Sequence, residues 1–183
     1  MRILILGPQG SGKGTQAKRI AAAYDAPHVA TGDILRAAVS DGSELGRQVR
    51  PIVERGDLVP DELMVGLIRE RIVDEDAFVL DGFPRTVAQA TALDELLVDH
   101  GRSLGCAVLL EVPTDDLLSR LSSRGRSSER SDDSPEVIGK RLAVYEEQTK
   151  PVVEHYEKAG LLRRVNGVGD VDQIRQRVEQ AIA

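Results

Sequence analysis

The sequence predicts an α/β fold, a doubly wound parallel sheet of about five strands with helices on both faces. Three features lead there. The runs Arg2-Ile3-Leu4-Ile5-Leu6, Ala77-Phe78-Val79-Leu80 and Cys106-Ala107-Val108-Leu109-Leu110 are continuously apolar and too short for helices, which suits strands buried on both faces. Stretches with apolar residues at helical spacing separate those runs. The first run leads directly into Gly7-Pro8-Gln9-Gly10-Ser11-Gly12-Lys13-Gly14-Thr15-Gln16, which has the Gly-x4-Gly-Lys spacing of a phosphate-binding loop between a strand and a helix.

The elements follow in order. Arg2 to Leu6 reads as the first strand, and the helix after the loop carries Ala17, Ile20, Ala21 and Tyr24 on one face. Pro27-His28-Val29-Ala30 is a brief strand, with His28 as a structural member, broken by Thr31-Gly32-Asp33 before a helical pattern through Ile34, Leu35, Ala38 and Val39. Thr31 there can cap the helix. A second helix runs from about Ser43 to Arg55, and Gly56-Asp57-Leu58-Val59-Pro60 is a turn. Asp61 can cap a third helix carrying Leu63, Val65, Leu67, Ile68 and Ile72. The strand Ala77 to Leu80 closes on Asp81-Gly82-Phe83-Pro84-Arg85. Thr86 to about His100 is helical, Cys106 to Val112 is a strand, and Pro113-Thr114 opens a helix. From Ser123 to Ser134 the apolar pattern stops. Ser134-Pro135 caps a long helix, broken or bent at Pro151 and reaching about Gly160, Leu161 to Val165 is the last strand, and Asp170 with Gln173 caps a final helix.

At 183 residues the chain is one domain's worth, residues 1–183, able to bury roughly 70% of its unfolded surface. Charged residues make up 30% of it and the net charge is −6, so nucleic acid and membrane are not expected partners, and an anionic substrate needs local positive charge. The lone cysteine, Cys106, lies in an apolar run and reads as a core thiol of a reduced protein. The amino terminus is already strand, with no signal peptide ahead of it and no apolar run of spanning length, so a cytoplasmic location is expected.

The loop's chemistry is explicit. Glycines let backbone N–H groups wrap a polyphosphate, Lys13 adds a point charge, and the helix behind points its positive end at the same anion. The usual Ser/Thr after the lysine is replaced by Gly14, with Thr15 one place later. Asp81, at a strand's end facing the loop, is the candidate for holding magnesium, although such an aspartate can also cap a turn. Arg85 beside it presents a planar fork suited to phosphate oxygens.

Taken together, the loop in its Gly-Lys-Gly-Thr form, Thr31-Gly32-Asp33-Ile34-Leu35-Arg36 and Asp81-Gly82-Phe83-Pro84-Arg85 resemble the adenylate kinases, among the nucleoside monophosphate kinases, over nearly the whole chain. The resemblance implies a P-loop kinase fold, with a monophosphate-binding lobe over 30–59 and a short lid over 123–134. It implies magnesium-dependent phosphate transfer from ATP to AMP, giving two ADP, by a monomer. Gly10, Ser11, Gly12, Lys13, Gly14, Thr15, Arg120, Arg124 and Gly169 would bind ATP. Thr31, Arg36, Asp57, Leu58, Val59, Gly82, Phe83, Pro84, Arg85, Gln89, Arg130 and Arg141 would hold AMP, and Asp81 the magnesium, through water. Lys13, Arg85, Arg124, Arg130 and Arg141 would be the catalytic cations. Of the lid pair Arg126 and Arg130, Arg130 is preferred, because it precedes Asp132-Asp133 and stands eleven places before Arg141. Gln89 has a competing role, since Thr86-x-x-Gln89 is also a capping box.

Some relatives staple a longer lid with zinc through four cysteines. Here no Cys or His lies between Gly101 and Lys150 except Cys106, so no zinc is expected. A uridylate/cytidylate kinase is the nearest alternative, but Thr31 and Gln89 stand where that relative resembles Ala and Asn. A nucleotide switch is a different class. Its GTPase form needs an Asn-Lys-x-Asp stretch, which the chain lacks, and it does not need arginines for a second phosphorylated substrate.

Overall fold

Three neighbouring strands end together around Asp81, and that convergence organises the molecule. The computed structural model describes residues 1–127 and 134–183, the side chains of 124–127 and 135 excepted. The strands are β1 (Arg2–Leu6), β2 (His28–Ala30), β3 (Phe78–Asp81), β4 (Cys106–Glu111) and β5 (Leu162–Asn166). They form one sheet in the order β2-β3-β1-β4-β5 with every pairing parallel. In register, Ile5 of β1 and Ala30 of β2 both lie opposite Asp81. The chain leaving β1 therefore becomes the glycine loop on one side of Asp81, and the chain leaving β2 becomes Thr31 on the other.

The helices are α1 (Lys13–Ala23), α2 (Thr31–Ser40), α3 (Glu44–Glu54), α4 (Asp61–Ile72), α5 (Val87–Asp99), α6 (Thr114–Ser127), α7 (Pro135–Val144), α8 (Lys150–Lys158) and α9 (Val171–Ile182). Alternation along β1 splits the core into two layers. Leu4 and Leu6 pack with Ile68 of α4, Leu93 of α5 and Tyr156 of α8, whereas Ile3 and Ile5 pack with Ile20 of α1 and Ile174 of α9. Each of these buried side chains contributes roughly 1.5–3 kcal/mol of apolar burial, so both faces of the sheet hold the loop in place. Cys106 is buried, and burial pushes its thiol up, against a smaller opposing effect from Arg163.

Several local expectations change. Tyr24 is 46% exposed, and Gln16 takes its place on the buried side of α1 with Ala17, Ile20 and Ala21. The apolar pattern ends at Ser123, yet α6 runs on through Ser127. The long helix departs from α geometry before its proline: a π-helical turn covers Tyr145–Thr149, closed by the Lys150 N–H on the Tyr145 carbonyl. Pro151 has no N–H and crowds the carbonyl four residues back, and the wider turn just ahead of it accommodates that loss. Asp61 does not cap α4, whose N-cap is Pro60 without a side-chain bond. Ser43, Thr86, Ser134 and Asp170 do cap their helices, and Asp170 with Gln173 forms a full capping box. α2 and α3 cross closely at Gly46, where an added β-carbon would lie 1.9 Å from the Ala38 carbonyl oxygen.

Candidate active site

The loop after β1 bends through Gly10 and Gly12, at φ 87° and 88°, a region open to glycine and strained for other residues. This conformation hands the chain into α1 at Lys13, whose ammonium donates to the Pro8 carbonyl across the loop at 3.3 Å. Ser11 is wholly buried, and its hydroxyl has no hydrogen-bond partner among the described residues. Beneath the loop stands Asp81. Its Oδ2 lies 3.0 Å from where a β-carbon on residue 14 would be, which accounts for glycine at that position. Its Oδ1 is buried and also without a partner among the described residues. An orphaned carboxylate oxygen beside a phosphate-type loop fits a hydrated divalent cation, because a buried charge otherwise goes uncompensated.

On the other side of Asp81 the chain turns through Gly82, at φ 80°, and Phe83-Pro84, a cis peptide. A side chain at 82 would also meet the Thr31 hydroxyl at 2.7 Å. Thr31 is the first residue of α2, not its cap: the N-cap is Ala30, and the Thr31 hydroxyl donates to the Gly82 carbonyl at 2.9 Å. Arg85 donates through Nε to the same carbonyl at 2.8 Å.

The positive charge is concentrated here. Burial lowers the Arg85 pKa from its ordinary value, the Asp81 carboxylate works against that shift, and Arg141 and Arg36 add to it by repulsion. The three guanidiniums come from the turn after β3, from α2 and from α7. Arg36 bonds Asp33 and lies over Gly32, and Arg141 donates to the Val53 carbonyl at 3.3 Å. Like charges gathered this closely match an anion bound between them. Asp57 sits at the rim, its carboxyl held below the usual range by hydrogen bonds from Lys140 and Arg55.

All these groups open on one cleft of about 720 Å³ at the carboxyl ends of the strands. Of the residues singled out in the sequence, Gly10, Gly12, Lys13, Gly14, Thr15, Thr31, Arg36, Asp57, Leu58, Val59, Asp81, Gly82, Phe83, Pro84, Arg85, Gln89, Arg120 and Arg141 line it. Arg120 donates to the carbonyls of Ser11 and Gly167, tying α6 to the loop. Ser11 is packed behind the lining, and Gly169 lies in the turn between β5 and α9, where a β-carbon would meet Gln173 Oε1 at 2.7 Å. The Arg124 and Arg126 side chains and Arg130 lie outside what the structure describes, as do residues 128–133 of the expected lid. Sequence reasoning missed His28, Lys18, Tyr145 and Thr149, which also line the cleft. For His28 the signal was the shortness of β2, which places its first residue only two positions before the strand's carboxyl end. Asp61 was missed too: it lies behind Gln89 and accepts from Gln89 Nε2 at 2.8 Å and from the Thr86 hydroxyl at 3.0 Å.

Fold and cleft together define a P-loop protein whose glycine loop shares one cleft with Arg36, Arg85 and Arg141. The family model described as adenylate kinase matches residues 5–161. An adenylate kinase of Xanthomonas euvesicatoria pv. vesicatoria (strain 85-10) is 46% identical over 185 aligned positions, covering 100% of this chain and 99% of that protein. One from Thermobifida fusca (strain YX) is 47% identical, covering 100% and 98%, and one from Stenotrophomonas maltophilia (strain R551-3) is 46% identical, covering 100% and 99%. The chain belongs to the adenylate kinase family, and it is a phosphotransferase.

Proposed function

We propose that the protein transfers the terminal phosphate of ATP to AMP, reversibly, through the residues of this cleft. The meeting of Arg36, Arg85 and Arg141 opposite the glycine loop carries the reading, because it supplies a second phosphate site facing the first. The polyphosphate lies along Gly10 to Thr15, including Lys13, with Arg120 from the middle of α6 beside it. The monophosphate rests on the three arginines, and its base lies against Thr31, Gln89 and the backbone of Asp57 to Val59. An oxygen of the AMP phosphate forms the new bond to the terminal phosphorus while the bond to the bridging oxygen breaks, releasing ADP on both sides. The attacking oxygen is already ionised at neutral pH, so the chain's task is positioning and charge stabilisation. Asp81, through water, would hold the magnesium that accompanies ATP, and magnesium when bound neutralises phosphate charge.

Residues 30–59, containing α2 and α3, serve as the monophosphate lobe, and 123–134 as a short lid bringing Arg124 and Arg130 to the phosphoryl group. The protein works as a cytoplasmic monomer without zinc. The acidic net charge and the lack of Cys and His around the lid support this reading. No helix among the described residues is long and apolar enough to cross a membrane.

The test is ADP formation from ATP, AMP and Mg²⁺ by purified protein, with UMP and CMP as alternative acceptors and a five-phosphate bis-adenosine analogue as inhibitor. ADP with AMP alone among the acceptors and tight analogue binding are expected. Turnover of UMP or CMP at the rate of AMP overturns the substrate reading.

A further inference from the structure

We propose that Asp61 is a positioning residue that sets base selectivity by locking the orientation of the Gln89 amide. The inference rests on the reading above that Gln89 faces the monophosphate's base. Gln89 lines the cleft and is only 2% exposed, whereas Asp61, the first residue of α4, is half-buried behind it. Gln89 Oε1 accepts from the Arg85 backbone N–H at 2.8 Å, and Nε2 donates to Asp61 Oδ1 at 2.8 Å. A backbone N–H can only donate and an ionised carboxylate can only accept. Turning the amide over would set donor against donor at Arg85 and acceptor against acceptor at Asp61. The second carboxylate oxygen is occupied as well, by the Thr86 hydroxyl at 3.0 Å, and that hydroxyl accepts from the Gln89 N–H at 3.1 Å. The start of α4 is thereby stapled to the start of α5, and the positive end of α4 favours the negative charge that the lock requires.

Each amide atom has one further bonding position, a hydrogen on Nε2 and a lone pair on Oε1. The amide can thus offer a base one donor and one acceptor in an order it cannot reverse. Adenine presents a donor at its 6-amino group and an acceptor at N1, while hypoxanthine presents the opposite order, an acceptor at O6 and a donor at N1. A freely turning glutamine serves both bases, and a locked one serves a single order. Asp61 therefore separates AMP from 6-oxopurine monophosphates without touching either.

The experiment compares kcat/KM for AMP and IMP at saturating ATP and Mg²⁺ in the full-length protein and in Asp61→Asn and Asp61→Leu, with thermal melts as controls. Asn keeps the shape of the side chain but can present either a donor or an acceptor, so the reversed amide is opposed only at the Arg85 N–H and becomes more accessible. The AMP:IMP ratio is expected to fall about tenfold or more in Asp61→Asn, through KM for the monophosphate and with KM for ATP unchanged. Asp61→Leu, which removes the acceptor and needs no polar partner of its own, should move the ratio the same way. A ratio within about twofold of wild type in the variants, with brisk AMP turnover, overturns the lock and leaves the phosphate-transfer reading standing. Absence of AMP turnover in the wild-type protein overturns both.

Discussion

The Asp81 carboxylate occupies the space beside Gly14, with Oδ2 only 3.0 Å from where a β-carbon would sit. A phosphate loop ordinarily carries a hydroxyl at that place. Here the strand-end carboxylate lies against the first turn of α1, and a glycine leaves room for it. The position of Asp81 and the absence of a side chain at residue 14 are thus one feature.

That relationship separates activity from stability. Gly14 lies in the first turn of α1, where alanine is favoured over glycine by up to about 1 kcal/mol. Gly14→Ala should therefore keep or raise the melting temperature while pushing the Asp81 carboxylate aside by a few tenths of an ångström. Activity should fall and half-maximal activity should need more Mg²⁺. Calorimetry and a magnesium titration of the initial rate check both. A variant with wild-type magnesium dependence would leave Asp81 without its assigned role.

Lys13→Met and Arg85→Ala should each remove most of the activity in a folded protein. Both cations lie on the cleft, and losing one donor of this kind costs about 3 to 4 kcal/mol of transition-state stabilisation. Initial rates with matched far-ultraviolet circular dichroism decide it, and a near wild-type rate in either variant sinks that residue's role.

Thr31→Val tests the bond to Gly82. Read from sequence, the cost of losing this hydroxyl was a lost helix cap. The structure moves it to the Gly82 carbonyl, which Arg85 Nε also uses. About 1 kcal/mol of stability should go with that hydrogen bond, and α2 should remain intact. If the hydroxyl also meets the base, kcat/KM for AMP relative to UMP and CMP should shift by roughly 1 to 3 kcal/mol. A lower melting temperature with unchanged ratios restricts Thr31 to the turn.

Asp57 predicts an acid-side effect. Its carboxyl lies below the ordinary 3.8 because Lys140 and Arg55 hydrogen-bond it. A depressed carboxylate contributes stability above its unfolded pKa, and that contribution is lost as pH falls through the folded value. The melting-temperature difference between wild type and Asp57→Asn should therefore be constant near neutral pH and shrink below about pH 4. Melts from pH 7 down to pH 2 check this, and a difference that grows on acidification contradicts the pairing.

What the sequence determined by itself was whatever depends on neighbours along the chain. The apolar runs of β1, β3 and β4, the glycine spacing after β1, and the caps at Thr86, Ser134 and Asp170 were all legible, because strand burial, loop geometry and capping act within a few residues. Tertiary structure decided what depends on partners far apart in sequence. Asp61 reads as a cap and becomes the lock on Gln89, and Thr31 reads as a cap and bonds Gly82, because in each case a partner from another element offered a better hydrogen bond than the local backbone. Arg36, Arg85 and Arg141 are scattered in sequence and meet only because β1, β2 and β3 end together while α7 folds over the same cleft. Pairwise spacing carries no signal for such a meeting, since it arises from sheet order and register.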